Sequence, residues 1–70
     1  MAREFDKNDI RNPSFDATLL RETERAYQFL IDDEEYWMPK SQCDWDPSTR
    51  DPTEGRVVIA EWIAIEKGLA

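Results

Sequence analysis

The chain has 70 residues, nine of them basic and sixteen acidic, which gives a formal net charge of −7. This charge opposes binding to the phosphate backbones of nucleic acids. The chain has no histidine and a single cysteine, Cys43, which excludes a disulfide within the chain and a zinc site built from cysteine and histidine. We therefore expect no metal and no other cofactor.

A chain of this length forms one small domain, which buries only about 60% of the surface of its unfolded chain. Hydrophobic residues, with the aromatic ones included, make up 40% of the sequence, and they must supply the core. No apolar run approaches the ~20 residues of a membrane span, and a lone free cysteine is typical of a reducing compartment. The sequence thus predicts a cytoplasmic protein that does not associate with membranes.

The first segment of the chain, residues 1–13, alternates charged residues with isolated apolar ones and ends in Asn12-Pro13. The residue before a proline is pushed out of the helical region. We therefore expect a loose N-terminal tail at 1–13, with Phe5 and Ile10 as its candidate anchors, and a single small domain at 14–70.

Residues 14–31 fit two structures. The first is a helix, because apolar residues recur there at helical spacing: Leu19, Leu20, Tyr27, Leu30 and Ile31. The second is a pair of strands, at 15–20 and 25–31, around a polar turn at 21–24. In the second strand Tyr27, Phe29 and Ile31 share one face, and Ala26, Gln28 and Leu30 share the other.

The acidic run Asp32-Asp33-Glu34-Glu35 favours the strands. It is followed by the aromatic, extended run Tyr36-Trp37-Met38-Pro39. Two aromatic runs separated by turn-forming residues are typical of a β-hairpin, and Pro39 ends the regular pairing or lies at a sheet edge. A strand at 36–38 needs a neighbour, and residues 24–31 are the nearest, so we prefer strands there.

The remaining elements are a loop, a strand and a helix. Residues 44–55 are rich in Asp, Pro, Ser, Thr and Gly, which predicts a loop, and the β-branched run at 56–59 predicts a strand. Residues 60–67 predict a helix whose dipole matches Glu61 at its start and Lys67 at its end, followed by a left-handed cap at Gly68. The predicted buried face of this helix carries Trp62, Ile65 and Leu69, with Ile63 beside them.

This order of elements indicates an α+β fold that is mainly β. Consecutive strands with short connections predict a small antiparallel meander, or a partly open SH3-like or OB-like barrel, with a short C-terminal helix.

The chain contains no recognisable catalytic set. Asp44, Asp46 and Ser48 begin like a calcium loop, but Thr49 and Gly55 stand where that template needs glycine and glutamate. Cys43 has no histidine to activate it, so we expect a small buried residue there. The sequence predicts that the protein is not an enzyme.

From residue 21 to residue 69 the chain resembles small proteins of bacteriophages, prophages and other mobile genetic elements. In that group a hairpin of the form ETxKA…IDxEEVWIPKSQ precedes a variable linker and EWLAEKKGL. The matching runs here are ETERA, IDDEE, WMPKSQ, EWIA and KGL. Tyr36 departs from the pattern, because a small β-branched residue is usual at that position. The resemblance implies a mobile-element context inside a host cell and brings no particular activity with it.

The hairpin carries the candidate binding residues. If Tyr36 and Met38 face the core, Trp37 lies on the opposite face with Leu30, and exposed apolar patches often mark interfaces. The acidic run is then either a solvated turn or a surface that imitates nucleic-acid phosphates toward a basic partner. The predicted partner-binding residues are Leu30, Asp32, Asp33, Glu34, Glu35, Trp37 and Lys40. The alternative for this segment is structural, with Trp37 packed under the C-terminal helix and Ser41 and Gln42 capping a turn.

The favoured function is therefore a non-catalytic binding protein that modulates or inhibits a host protein complex. By analogy with small acidic phage proteins, that complex handles nucleic acid or serves defence, as for proteins of the anti-CRISPR type. One alternative is an accessory protein that binds single-stranded nucleic acid on Tyr36, Trp37 and Trp45. Another is a structural or self-assembling subunit, so a homo-oligomer stays open.

Overall fold

The computed structural model of the protein describes residues 5–70. Residues 1–4 of the predicted tail at 1–13 lie outside this range. Between residues 5 and 12 the backbone forms hydrogen-bonded turns, and Phe5 packs against the core whereas Ile10 is 99% exposed. The side-chain oxygen Oδ1 of Asn12 accepts a bond of 2.9 Å from the backbone N–H of Glu61, which connects this segment to the C-terminal helix.

Five strands and two short helices follow along the chain. The strands are β1 (Ser14–Glu22), β2 (Ala26–Ile31), β3 (Glu34–Pro39), β4 (Cys43–Pro47) and β5 (Glu54–Ile59). A single 3-10 turn, Lys40–Gln42, joins β3 to β4, and the helix α1 spans Glu61–Glu66. The preference for strands over a helix at 24–31 is thereby confirmed.

The strands form one antiparallel sheet in the order β3-β2-β1-β5-β4. The sheet is open, but it curls: the ring of Phe29 on β2 lies 4.8 Å from the ring of Trp45 on β4, although β1 and β5 separate these strands in the sheet. The register of β1 with β2 shifts between Leu19 and Arg21, and such a bulge bends a strand. The predicted α+β, mainly β class with a short C-terminal helix is confirmed.

The core occupies the inner side of the curled sheet and is closed by α1. Because successive side chains of a strand point to opposite faces, each strand contributes every second residue. The buried hydrophobic residues among those described are Ala17, Phe29, Ile31, Met38, Cys43, Val57, Ile59, Ala60, Ile63 and Ala64.

The β2–β3 hairpin is tighter than the sequence predicted. Its turn consists of Asp32 and Asp33 alone, with φ of 51° and 67°, while Glu34 and Glu35 already belong to β3. Two-residue hairpin loops favour positive φ because that backbone matches the twist of the flanking strands, and aspartate tolerates it better than most residues. The predicted acidic link at 32–35 is therefore half turn and half strand.

The predicted loop at 44–55 is wrong in its first part, because residues 43–47 form β4 and only residues 48–53 connect it to β5. Within β4 the aromatic Trp45 packs against the core, whereas Asp46 is exposed. This is ordinary strand alternation, which the turn-forming composition of the segment concealed. The strand predicted at 56–59 likewise begins earlier, at Glu54.

The C-terminal helix is confirmed, and it ends as predicted. Gly68 has a φ of 76°, its N–H donates to Ile65 at 3.1 Å, and the N–H of Leu69 donates to Ala64 at 2.8 Å. This pair of bonds is the Schellman motif, which satisfies the last carbonyls of a helix. Lys67 lies at the C-cap, just beyond the last helical residue.

The predicted buried face of this helix is wrong for Trp62 and Ile65, although Leu69 does pack against the core. Ile63 and Ala64 are buried, whereas Trp62 is 36% and Ile65 58% exposed. The cause lies outside the helix: Ala60 at the end of β5 is buried, and residues three and four positions later fall on the same side. Trp62 lies at the rim, where its indole N–H donates to Oε1 of the buried Gln42 at 3.3 Å.

Substitution of Gly55 tests how closely the backbones of β5 and β4 approach each other. A Cβ added at Gly55 would overlap the carbonyl oxygen of Asp46 and lie 2.8 Å from Cα of Pro47, so Gly55→Ala must push two strands apart. We expect this substitution to cost about 1–3 kcal/mol of unfolding free energy, measured by urea melts. The exposed neighbour offers the control, since Glu54→Ala should change stability by less than about 0.5 kcal/mol. Equal melting midpoints for the two variants would contradict the observed β4–β5 pairing.

Candidate functional site

The outer side of the β2–β3 hairpin carries the candidate site. We call it the outer hairpin face; its six residues are Ala26, Gln28, Leu30, Glu35, Trp37 and Pro39. Trp37 lies opposite Gln28 and is 44% exposed, while Leu30 lies opposite Glu35 and is half-buried. The neighbours of Trp37 in the strand behave differently, because Met38 is fully buried and Tyr36 packs against the core. The predicted strand parity is confirmed.

The four predicted acidic residues divide into two pairs. Oε1 of Glu35 accepts a bond of 3.0 Å from the side-chain amide of Gln28, and Oε2 of Glu34 accepts one of 2.9 Å from the hydroxyl of Tyr36. The bond to Glu34 raises the pKa of Tyr36, because the carboxylate stabilises the protonated hydroxyl. Both glutamates are thus fixed by neighbours. Asp32 and Asp33 instead lie in the turn at the end of the hairpin.

Asp32 and Asp33 form part of a groove of about 620 Å³ that runs from the hairpin across β1 to β5. We call it the outer groove; its lining residues are Asp16, Ala17, Thr18, Leu30, Asp32, Asp33, Glu54, Gly55 and Arg56. Arg56 is already engaged, since it donates to Asp16 at 3.0 Å and to Ser14 at 2.9 Å. Within residues 5–70, no ion pair involves Asp32, Asp33 or Glu54. The groove is therefore acidic.

Lys40 contacts residues that do not belong to the outer hairpin face. Its Nζ forms an ion pair of 2.5 Å with Glu22 and lies 4.8 Å from the ring centroid of Tyr27. The bond to Glu22 raises the pKa of Lys40, because the carboxylate stabilises the charged ammonium. Lys40, which the sequence predicts as a partner-binding residue together with Trp37, thus connects the 3-10 turn to β1.

Trp37 also borders the C-terminal helix. With Pro39, Trp62, Ile63, Glu66 and Lys67 it lines a second groove, of about 170 Å³. The alternative in which Trp37 packs under the helix thus holds in part: the indole lies beside α1, yet much of it stays exposed.

The three rings of the predicted nucleic-acid platform do not share a face. Tyr36 and Trp45 pack against the core, and only Trp37 lies outside. Cys43 is buried as predicted, and its thiol donates to the carbonyl of Pro39 at 3.4 Å. Burial raises the pKa of Cys43 to about 11, so the thiol stays protonated at neutral pH and is a poor nucleophile.

Residues 5–70 hold neither a cluster of metal ligands nor a membrane-spanning helix. No group of three or more Cys, Asp or Glu side chains there is arranged to hold a metal ion. No helix in the same range is long and apolar enough to cross a bilayer.

Sequence reasoning missed the half of the outer groove that β1 and β5 supply. Thr18 pairs with Leu30 on one side and with Glu54 on the other, so residues far apart in sequence form one row across the sheet. The alternation within β1 is visible in the sequence, but the partners of β1 are not, because they depend on the fold of the whole chain.

No protein-family model, no curated protein and no solved structure matches this chain.

The contrast between Phe29 and Trp37 tests the site's position. Phe29 is fully buried and contacts the rings of Tyr27 and Trp45, so Phe29→Ala should cost about 3–5 kcal/mol of unfolding free energy and come close to unfolding the domain. Trp37→Ala removes a larger side chain but should cost only about 1 kcal/mol, because the indole lies outside the core. Urea melts followed by circular dichroism measure both. A loss for Trp37→Ala as large as that for Phe29→Ala would place Trp37 in the core and eliminate the site.

Proposed function

We propose that this protein is a non-catalytic binding protein that docks onto a basic surface of another protein. The contact surface is the outer hairpin face with the adjoining outer groove. One observation carries the proposal: Trp37 is 44% exposed in the middle of β3, between two residues that pack inward. A domain this small has few aromatic side chains to spare from its core, and tryptophans are enriched among the residues that dominate binding energy at interfaces.

The charge around Trp37 supports a basic partner. Asp32, Asp33 and Glu54 form no ion pair in the part of the chain that the structure describes, Arg56 in the same groove is paired with Asp16, and the whole chain carries −7. Complementary charge accelerates encounter and disfavours partners of the same sign. The exposed indole then supplies the apolar anchor.

The resemblance to proteins of phages and mobile elements supplies the biological context for this proposal. A host complex that handles nucleic acid, or that defends against it, presents a basic groove for phosphates. An acidic protein with an apolar anchor competes for that groove. The proposed role is therefore to modulate or inhibit such a complex, in the manner of an anti-CRISPR protein.

The two alternatives have weaker support. Binding of single-stranded nucleic acid needs several bases stacked in a row, and the described residues offer one outward ring of the three predicted. Self-assembly through the open edges brings together two copies of β3, which carries Glu34 and Glu35, or two copies of β4, which carries Asp44 and Asp46. Like charges on an edge strand oppose that pairing.

Affinity purification tests the proposal. Tagged protein is recovered from host cells in three forms, the unmodified chain, Trp37→Ala and Ile65→Ala, and co-purifying proteins are identified by mass spectrometry. Ile65 is the control because it is 58% exposed but lines neither the outer groove nor the groove between Trp37 and α1. We expect one host complex with the unmodified chain and with Ile65→Ala, and its loss with Trp37→Ala.

The double variant Asp32→Asn, Asp33→Asn tests the electrostatic part with the recovered partner. Asparagine also tolerates positive φ, so the turn should survive the change. We expect slower association and a flatter dependence of the rate on salt. Three results would count against the proposal: a partner insensitive to Trp37→Ala, recovery of the protein with only its own copies, or recovery of nucleic acid that resists nuclease.

A further inference from the structure

The surroundings of Trp37 are specific for one kind of side chain. Glu35 lies two residues before Trp37 on the same face of β3, a separation of about 6.6 Å along a strand. The amide of Gln28, opposite Trp37, donates to Oε1 of Glu35 at 3.0 Å. This bond holds the carboxylate beside the indole and leaves Oε2 of Glu35 able to accept from another donor.

Leu30 completes the surface. It lies opposite Glu35, and therefore diagonally from Trp37, at a cross-strand separation of about 7–8 Å. It is half-buried and forms part of the outer groove, whose acidic residues Asp32 and Asp33 lie just beyond it. An incoming side chain thus meets a flat aromatic ring, a fixed carboxylate and an aliphatic contact within one patch.

Arginine matches these three features together. Its guanidinium is planar and stacks on aromatic rings, its N–H groups donate to a carboxylate in a fork, and its aliphatic stem covers apolar surface. Lysine offers a compact, strongly hydrated charge that gains less from the ring. An anionic side chain is repelled by the carboxylates.

We infer that the outer hairpin face binds an arginine of the partner protein, stacked on Trp37 and paired with Glu35, in preference to a lysine. This inference rests on the proposed function and names the residue through which the basic partner is recognised.

Paired peptides test the choice of side chain. Uniformly ¹⁵N-labelled protein is titrated with a nine-residue arginine peptide and with a nine-residue lysine peptide at equal ionic strength, and the indole N–H signals are followed by NMR. We expect the arginine peptide to bind about three- to fivefold more tightly, the ratio that an exposed cation–π contact supplies. The signal of Trp37 should shift on binding, and that of the inward-facing Trp45 should stay in place.

Three variants test which residues of the outer hairpin face cause the preference for arginine over lysine. Trp37→Leu keeps an apolar side chain but removes the ring, and Glu35→Gln keeps a hydrogen-bonding group but removes the charge. Each should bring the arginine-to-lysine ratio close to one. Glu24→Gln removes the same charge from the exposed turn at the other end of β2, and should leave the ratio unchanged.

The outcomes separate this inference from the proposed function. If both peptides bind equally and Asp32→Asn, Asp33→Asn weakens both, the acidic docking surface stands and the arginine preference is wrong. If neither peptide binds even at low salt, both proposals are wrong. A ratio that persists in Trp37→Leu, or a shift confined to other tryptophans, would also overturn the inference.

Discussion

The turn at Asp32 and Asp33 fixes the arrangement on which the rest of the molecule depends. Two residues at positive φ join β2 to β3 and set Ile31 opposite Glu34, so that Phe29 falls opposite Tyr36. In a strand, a slip of one residue exchanges the two faces. A turn one residue longer or shorter would bury Trp37 in place of Met38, and would exchange the proposed binding surface with the face that packs the core.

The inward face then builds the domain. Phe29 meets Trp45 from the far end of the sheet, and this contact holds the curl that a flat sheet of five strands would lack. Ala60 turns the chain from β5 into α1, and Ile63 and Ala64 close the core. With the interior complete, the outward face is free to carry carboxylates and an exposed indole, which form the proposed binding surface.

The sequence predicted what depends on local pattern. Alternation at 26–31 and around Trp37 identified the hairpin and its faces, and Gly68 identified the end of the helix. It did not predict β4, since Asp and Pro are typical of loops and only pairing with β5 makes them a strand. It also misplaced Trp62, because the direction of the helix follows from the buried Ala60 and not from the helix's own residues. The outer groove was hidden because its walls come from three strands.

Contacts between aromatic protons test the central claim most directly. Phe29 and Trp45 share the interior while Trp37 lies outside, and nuclear Overhauser effects in the unmodified protein report such contacts. The structure predicts ring-to-ring contacts between Phe29 and Trp45, whose centroids are 4.8 Å apart, and none from the ring of Trp37 to Phe29. Contacts from Trp37 to Phe29, with Trp45 distant, would show that the hairpin register is shifted and that the proposed binding surface belongs to the core.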